Sequence, residues 1–152
     1  MGTMQTITHK NVTWVDLHYP SDTDIQFLRN EYKIHENPLA ELTRETSAPK
    51  IDRYEGQLYL VLYFPVFNYE KRTTEGKEID FILTKGVLIT CHTSEVEPLD
   101  EFHRMCDTDQ TLTKECFGDT PMHLLFILLS HLYDNSTKQM KHIKQNIDAI
   151  DN

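Results

Sequence analysis

The sequence lacks any run of about 18 apolar residues, the length that a membrane-spanning helix requires. Its N-terminus also lacks the basic stretch and apolar core of a secretory signal peptide. Cysteine is scarce, with three among 152 residues, and their odd number and spacing match no disulfide framework. We therefore expect a chain that works in water, in a reducing compartment.

Positive charge is also in short supply. Only 15 residues are Lys or Arg against 24 that are Asp or Glu, which gives a net charge of -9. Such an excess of negative charge opposes binding to phosphate backbones, so we expect no nucleic-acid partner. It is compatible with cationic partners or with simple solubility.

Catalytic signatures are missing as well. The sequence contains no Gly-x-Ser-x-Gly, Walker or dinucleotide-binding loop, and its histidines do not form a His-Glu-x-x-His helix. We therefore assign no catalytic residues and no organic cofactor, and we predict that the chain is not an enzyme.

Two apolar stretches are present and predict the middle of a sheet. In residues 58–67 both faces of the predicted strand are apolar or aromatic, so helices must cover both sides. Residues 79–92 read as a hairpin that turns at Thr84 to Gly86. With 39% hydrophobic residues the chain can bury one core, in a layered α/β domain.

Helices and loops follow from caps and periodicity. Helices are predicted over residues 21–32, where Ser21 or Asp22 caps the first turn, over 34–42, and after Glu97. Residues 68–76 are predicted to be an exposed hairpin loop, and residues 107–119 an irregular polar segment.

A long helix is predicted from Thr120-Pro121, an N-cap followed by proline at the first helical position. Its apolar stripe recurs at steps of three and four and is still running near Asn152, so we expect the natural chain to continue. We divide the chain into a domain over 1–119 and the start of a stalk helix over 120–152. The stripe comprises Leu125, Leu129, Leu132, Ser136, Met140, Ile143, Ile147 and Ile150.

A zinc site is one alternative. Cys91-His92, His103-x-x-Cys106 and Cys116 could bind zinc if their loops converge, although the spacing matches no structural zinc pattern. Buried thiols are the other interpretation. This alternative function is a soluble α/β metal-binding module or enzyme that uses His and Cys residues.

Several short pieces occur in a definite order along the chain, and none of them is specific alone. They are Trp14-Val15-Asp16-Leu17 with Pro20, Tyr32-Lys33-Ile34-His35 with Pro38-Leu39 and Glu41, Pro49-Lys50-Ile51 with Tyr54, residues 58–63, Phe81-Ile82-Leu83, Leu88-Ile89-Thr90 with His92, and the helix from Pro121. Taken together, these pieces resemble the cytosolic N-terminal domain of the CorA family of magnesium and divalent-cation transporters, and the resemblance covers nearly the whole chain.

The resemblance implies a three-layer α/β/α sandwich, with a mixed sheet and helices on both faces, that runs into a long C-terminal stalk helix. The implied function is a cytosolic gating and sensing domain of a divalent-cation channel for Mg²⁺, or for Co²⁺, Ni²⁺ or Zn²⁺. The implied partner is the chain itself, as a pentamer at full length and as a monomer or dimer for this part alone. Membrane contact, at the cytoplasmic face, would come only from C-terminal helices that this sequence lacks.

A regulatory Mg²⁺ between subunits is also implied by the resemblance, and Glu41 occupies the place of one family ligand. The chain departs from the family pattern at Ala40 and at Glu36-Asn37, and the partner acid would lie beyond the sequence. Asp148 and Asp151 on the stalk are further candidate ligands, with solvated side chains as the alternative. One or two carboxylates per subunit suffice, because Mg²⁺ keeps several waters.

Overall fold

The computed structural model describes residues 2–44, 46 and 48–151, and among the side chains from residue 139 onward only those of residues 141, 144 and 145. Strands and helices follow one another along the chain as β1 (Thr3–His9), β2 (Val12–His18), α1 (Asp22–Tyr32), α2 (Glu36–Glu41), β3 (Lys50–Tyr54), β4 (Gln57–Asn68), β5 (Thr73–Leu83), β6 (Val87–His92), α3 (Glu97–Thr108), α4 (Gln110–Phe117) and α5 (Pro121–Asp151).

The six strands form one mixed sheet in the order β1-β2-β6-β5-β4-β3. Strands β2 and β6 run parallel, and the other neighbouring pairs are antiparallel. In the parallel pair Asp16 lies opposite Thr90 and His18 opposite His92. The C-terminal ends of β2 and β6 therefore meet at the same end of the sheet.

Helices cover both faces of this sheet, which confirms the predicted α/β/α layering. Strand β4 shows why, because Tyr59 and Val61 belong to one buried cluster while Leu60 belongs to the other. On one face the cluster includes Leu28 of α1 and Leu39 of α2. The opposite cluster takes its helical members from α3, α4 and α5, namely Leu99, Phe102, Cys106, Cys116, Phe117, Leu124, Leu125, Leu128 and Leu132.

Helix α1 begins where its cap predicts. Ser21 accepts a hydrogen bond from the backbone nitrogen of Asp24, and the Asp24 side chain accepts one from the backbone nitrogen of Ser21. This reciprocal capping box satisfies two backbone donors that the first helical turn leaves free.

The exposed hairpin connection predicted over residues 68–76 is present, but it is shorter than predicted. Strand β4 extends to Asn68 and β5 already begins at Thr73, so the connection is a short turn. The Asn68 side chain accepts hydrogen bonds from the backbone nitrogens of Glu70 and Lys71. An asparagine that binds the backbone two and three residues ahead closes a tight turn, which charged residues alone do not reveal.

The irregular segment predicted over residues 107–119 is wrong, because it contains α4. Asp109 caps this helix by accepting hydrogen bonds from the backbone nitrogens of Thr111 and Leu112. The helix buries Cys116 and Phe117 at its end. An eight-residue helix with two buried residues shows too little periodicity to be recognised from sequence.

Helix α5 is the long helix that was predicted. Thr120 accepts a hydrogen bond from the backbone nitrogen of His123, which caps the first turn. Leu125 and Leu132 of the predicted stripe pack into the core, whereas Met122, Phe126 and Tyr133 are exposed. Among the described residues no helix is both long and apolar enough to cross a bilayer.

Candidate functional site

Glu41, the predicted metal ligand, is the last residue of α2. It forms an ion pair with the ammonium of Lys50 in β3, and the same ammonium lies 3.4 Å from Asp52. The hydrogen bond to Glu41 is the main reason that the pKa of Lys50 is raised. The Glu41 carboxylate is partly exposed, with 27% of its side chain accessible to solvent, and it is already paired with the Lys50 ammonium of the same chain.

Further acids lie near Glu41 on the face covered by α1 and α2. The Tyr59 hydroxyl donates a 2.7 Å hydrogen bond to Oδ2 of Asp80. Burial, and then the neighbouring Glu78, raise the pKa of Asp80 to about 8. The negative charge of Glu41 also raises the pKa of Asp80 and that of Tyr59. Burial, together with these neighbouring acids, therefore favours the protonated form of Asp80.

Asp148 and Asp151 lie near the end of α5, where their side chains are outside the described residues. Their role as ligands stays a prediction.

The Cys and His residues of the zinc alternative do not come together as one site. Cys91 belongs to the cluster under α1 and α2, whereas Cys106 and Cys116 belong to the cluster on the opposite face of the sheet. Burial raises the pKa of all three thiols, that of Cys106 to about 12, which disfavours the thiolate form in the metal-free chain. His103 instead packs edge-on against Trp14, with ring centroids 4.7 Å apart.

His92 takes part in a different cluster, with Asp16 and Asp100. One potential ligand atom from each of the three residues lies within 4.8 Å of the others. Asp16 is 4% and His92 2% exposed, while Asp100 is half-buried on the first turn of α3. The parallel register places Asp16 and His92 on the same face of adjacent strands, and α3 brings Asp100 to their open side.

Hydrogen bonds hold the two buried members of this cluster in place. Thr90 donates to Oδ1 of Asp16 over 2.6 Å and accepts a 2.9 Å hydrogen bond from the indole nitrogen of Trp14. Nδ1 of His92 lies 2.8 Å from the carbonyl oxygen of Ser94, and Nε2 lies 3.2 Å from Oδ2 of Asp16. Burial lowers the pKa of His92, but Asp16 and the Ser94 carbonyl outweigh it, so the pKa is raised.

His18 borders the cluster from β2. Its ring stacks on that of His92 with centroids 4.7 Å apart, and its Nε2 atom is buried without a hydrogen-bond partner among the described residues. Sequence reasoning considered His92 as a ligand only in the zinc alternative with the cysteines, and it did not select Asp16 or Asp100 as ligands. One signal in the sequence could have identified Asp16. It is a carboxylate at an inward position of the apolar strand β2, and a buried carboxylate needs a hydrogen-bonding or charged partner.

A protein-family model described as CorA-like Mg²⁺ transporter protein matches residues 9–152. Comparison with curated protein sequences finds no match. Among solved structures, the soluble domain of CorA from Methanocaldococcus jannaschii is similar with a TM-score of 0.78 and 15% identity, over 93% of this chain and 54% of that one. The complete CorA magnesium transporter of the same organism has a TM-score of 0.72 and 17% identity, over 95% and 45%.

The cytoplasmic domain of ZntB from Vibrio parahaemolyticus is also similar, with a TM-score of 0.68 and 13% identity, over 91% of this chain and 54% of that one. At these identities the likeness is one of fold. The chain spans about half the length of the solved structures that it matches.

Proposed function

This chain belongs to the family of CorA-like Mg²⁺ transporters, and from that premise we propose that it is the regulatory domain of a divalent-cation channel. In this proposal the domain lies at the cytoplasmic face of the membrane, and copies of it assemble around the ion pathway. Mg²⁺ held by carboxylates between copies favours the closed channel, and its loss allows the acidic domains to separate. The family match over residues 9–152 is the observation that carries the proposal.

The surface of α5 supports assembly from several copies. Met122, Phe126 and Tyr133 are 55%, 67% and 70% exposed, and their spacing of four and seven residues places them on one helical stripe. Large apolar side chains that line one face of a helix are typical of a helix that packs against another. We propose that another copy of this chain covers them, as a pentamer in the full-length protein.

The surroundings of Glu41 support a weak Mg²⁺ site there. Its carboxylate is partly exposed and pairs with Lys50, so a cation at this position is favourable. Mg²⁺ prefers carboxylate oxygen and retains water ligands, so a single carboxylate from each chain is enough for an intersubunit site. In the isolated chain Mg²⁺ must compete with the Lys50 ammonium for Glu41.

The proposal also includes the class of ion that the channel transports, which is a divalent cation. We propose Mg²⁺ as the transported ion, with Co²⁺, Ni²⁺ and Zn²⁺ as the alternatives. We propose no catalytic step, because the family is one of transporters.

The mass of the chain in solution tests the assembly step. Light scattering is recorded with and without about 10 mM Mg²⁺, which saturates weak carboxylate sites. We expect Mg²⁺ to raise the mass of the wild type and to leave that of Glu41→Gln unchanged. Glu55→Gln is the matched control, because Glu55 is an exposed acid in the turn between β3 and β4 and should respond as the wild type does. A mass that Mg²⁺ does not change would contradict Mg²⁺-linked assembly.

A further inference from the structure

The contact between His92 and Asp16 needs a cation between its two atoms. Nδ1 of His92 faces a carbonyl oxygen, which only accepts hydrogen bonds, so the Nδ1 atom carries the proton. In the neutral imidazole this leaves a lone pair on Nε2, directed at Oδ2 of Asp16 from 3.2 Å away. Two acceptors at this distance repel each other unless a proton or a metal ion lies at Nε2.

A third acceptor faces the same place. One oxygen of the Asp100 carboxylate lies within 4.8 Å of a potential ligand atom of His92 and of one of Asp16. Among the described residues this carboxylate has no hydrogen-bond or ion-pair partner of its own. Burial raises the pKa of Asp100, and the charge on His92 lowers it in part. A single proton can join only two of the three groups, whereas a metal ion can join all three.

We propose that Asp16, His92 and Asp100 bind one divalent transition-metal ion within a single chain. Nε2 of His92, Oδ2 of Asp16 and one oxygen of Asp100 supply three ligands, and water completes the coordination. This site goes beyond the proposed function, because it needs no second copy and lies on the opposite face of the sheet from Glu41.

The surrounding hydrogen bonds are those that a metal site requires. A histidine ligand commonly donates its other ring N–H to a backbone carbonyl, which fixes the tautomer and the direction of the lone pair. Ser94 provides that carbonyl for His92. Thr90, which is itself held by Trp14, occupies Oδ1 of Asp16 and leaves Oδ2 for the ion.

The ligand types select the class of metal. Two carboxylates and a neutral imidazole carry a charge of -2, which a divalent ion neutralises. An imidazole nitrogen favours Zn²⁺, Co²⁺ or Ni²⁺ over Mg²⁺, which prefers oxygen ligands only. Asp100 is half-buried, whereas the other two ligands are buried.

Metal titration of the metal-free chain tests the site, with ZnCl₂ followed by calorimetry and CoCl₂ by visible absorption. Asp100→Asn is the test variant, because Asp100 is half-buried and its loss leaves no hydrogen bond broken. Glu101→Gln is the matched control, which removes the same charge one residue further along α3 from an exposed side chain. Glu41→Gln separates this site from the proposed intersubunit site.

We expect one Zn²⁺ or Co²⁺ per chain, with absorption bands of Co²⁺ bound to nitrogen and oxygen and without a thiolate band. Asp100→Asn should weaken binding by at least about tenfold, since even the loss of an indirect contact to a ligand costs that much. Glu101→Gln and Glu41→Gln should bind as the wild type does.

His92→Gln serves as a second variant, and circular dichroism shows whether it folds. We expect the folded variant to lose the Co²⁺ spectrum. Absence of stoichiometric binding, a thiolate band, or equal affinities of Asp100→Asn and Glu101→Gln would overturn the proposal. In the first case the cluster holds a proton only, as an Asp16–His92 ion pair.

Discussion

The Tyr59 hydroxyl donates a hydrogen bond of 2.7 Å to Oδ2 of Asp80, on the sheet face that α1 and α2 cover. Tyr59 is fully buried and Asp80 is 2% exposed. The second oxygen of Asp80, Oδ1, is buried without a hydrogen-bond partner among the described residues, and burial and then the neighbouring Glu78 raise the pKa of Asp80. The neutral form of Asp80 is therefore the one that this environment favours.

The protonation of Asp80 makes stability depend on pH. The pKa of Asp80 is about 8 in the folded chain, against an ordinary value of 3.8. Between pH 3.8 and about pH 8, Asp80 is therefore protonated in the folded chain and ionised in the unfolded chain. The free energy of unfolding should therefore fall as pH rises from about 4 to about 8. Asn at this position cannot ionise. The free energy of unfolding of Asp80→Asn should therefore rise by at least about 1 kcal/mol relative to that of the wild type between pH 5 and pH 8.

Urea unfolding at about pH 5 and about pH 8 measures this difference. Asp119→Asn is the control, since Asp119 is exposed and should follow the wild type. Equal pH dependence of Asp80→Asn and wild type would show that Asp80 is already ionised.

Replacement of Lys50 tests whether it competes with Mg²⁺ at Glu41. Lys50→Met keeps most of the apolar stem and removes the ammonium that pairs with Glu41. Partly exposed ion pairs contribute up to about 1 kcal/mol, so the Mg²⁺ concentration at half-maximal mass change should fall by about two- to fivefold. Light scattering during a Mg²⁺ titration gives this concentration. Lys77→Met, which removes the partner of Glu75 instead, should leave it unchanged.

Removal of the Thr90 hydroxyl should destabilise the chain. Thr90 is fully buried, and its oxygen both accepts from Trp14 and donates to Asp16. Thr90→Val keeps the shape and leaves two buried polar groups without this partner, at a cost of about 2 to 4 kcal/mol. Urea unfolding measures the loss. Thr137→Val on the exposed side of α5 should change stability by less than about 0.5 kcal/mol.

The exposed stripe on α5 gives a prediction about assembly. Phe126→Ser removes a side chain that is 67% exposed, so the isolated chain should fold normally. The Mg²⁺-dependent increase in mass should disappear, because the proposed contact between copies loses an apolar anchor. Sedimentation velocity with Mg²⁺ checks this. Ile51→Ser, at a side chain 68% exposed on β3, is the control, and an equal effect of the two substitutions would indicate non-specific association.

The layering of the fold could be predicted from one strand. Apolar residues on both faces of β4 require cover on both sides. The structure provides it, because Tyr59 and Leu60 belong to two buried clusters on opposite faces of the sheet, each with helical members. The short helix α4 and the tight turn after Asn68 could not be predicted with the same rules. They depend on single side chains that bind the backbone, not on a repeating pattern.

The candidate sites illustrate the same limit. Family resemblance selected Glu41, but the ion pair that it forms with Lys50 of β3 is seen only in the folded chain. Asp16 and His92 are 76 residues apart in sequence and meet because β2 and β6 pair in parallel. Spacing along the chain carries no information about such a register, so this cluster became visible only in the folded chain.

Ion flux through the full-length natural protein in liposomes tests the central claim most directly. An indicator dye inside the vesicles reports Mg²⁺ entry, while Mg²⁺ on the side of this domain is raised from about 0.1 to about 10 mM. The proposed regulation predicts that flux falls as this Mg²⁺ rises, and that Glu41→Gln keeps conducting at Mg²⁺ concentrations at which the wild type has closed. Absence of Mg²⁺ flux, or a wild-type flux that is independent of Mg²⁺ on the domain's side, would contradict it.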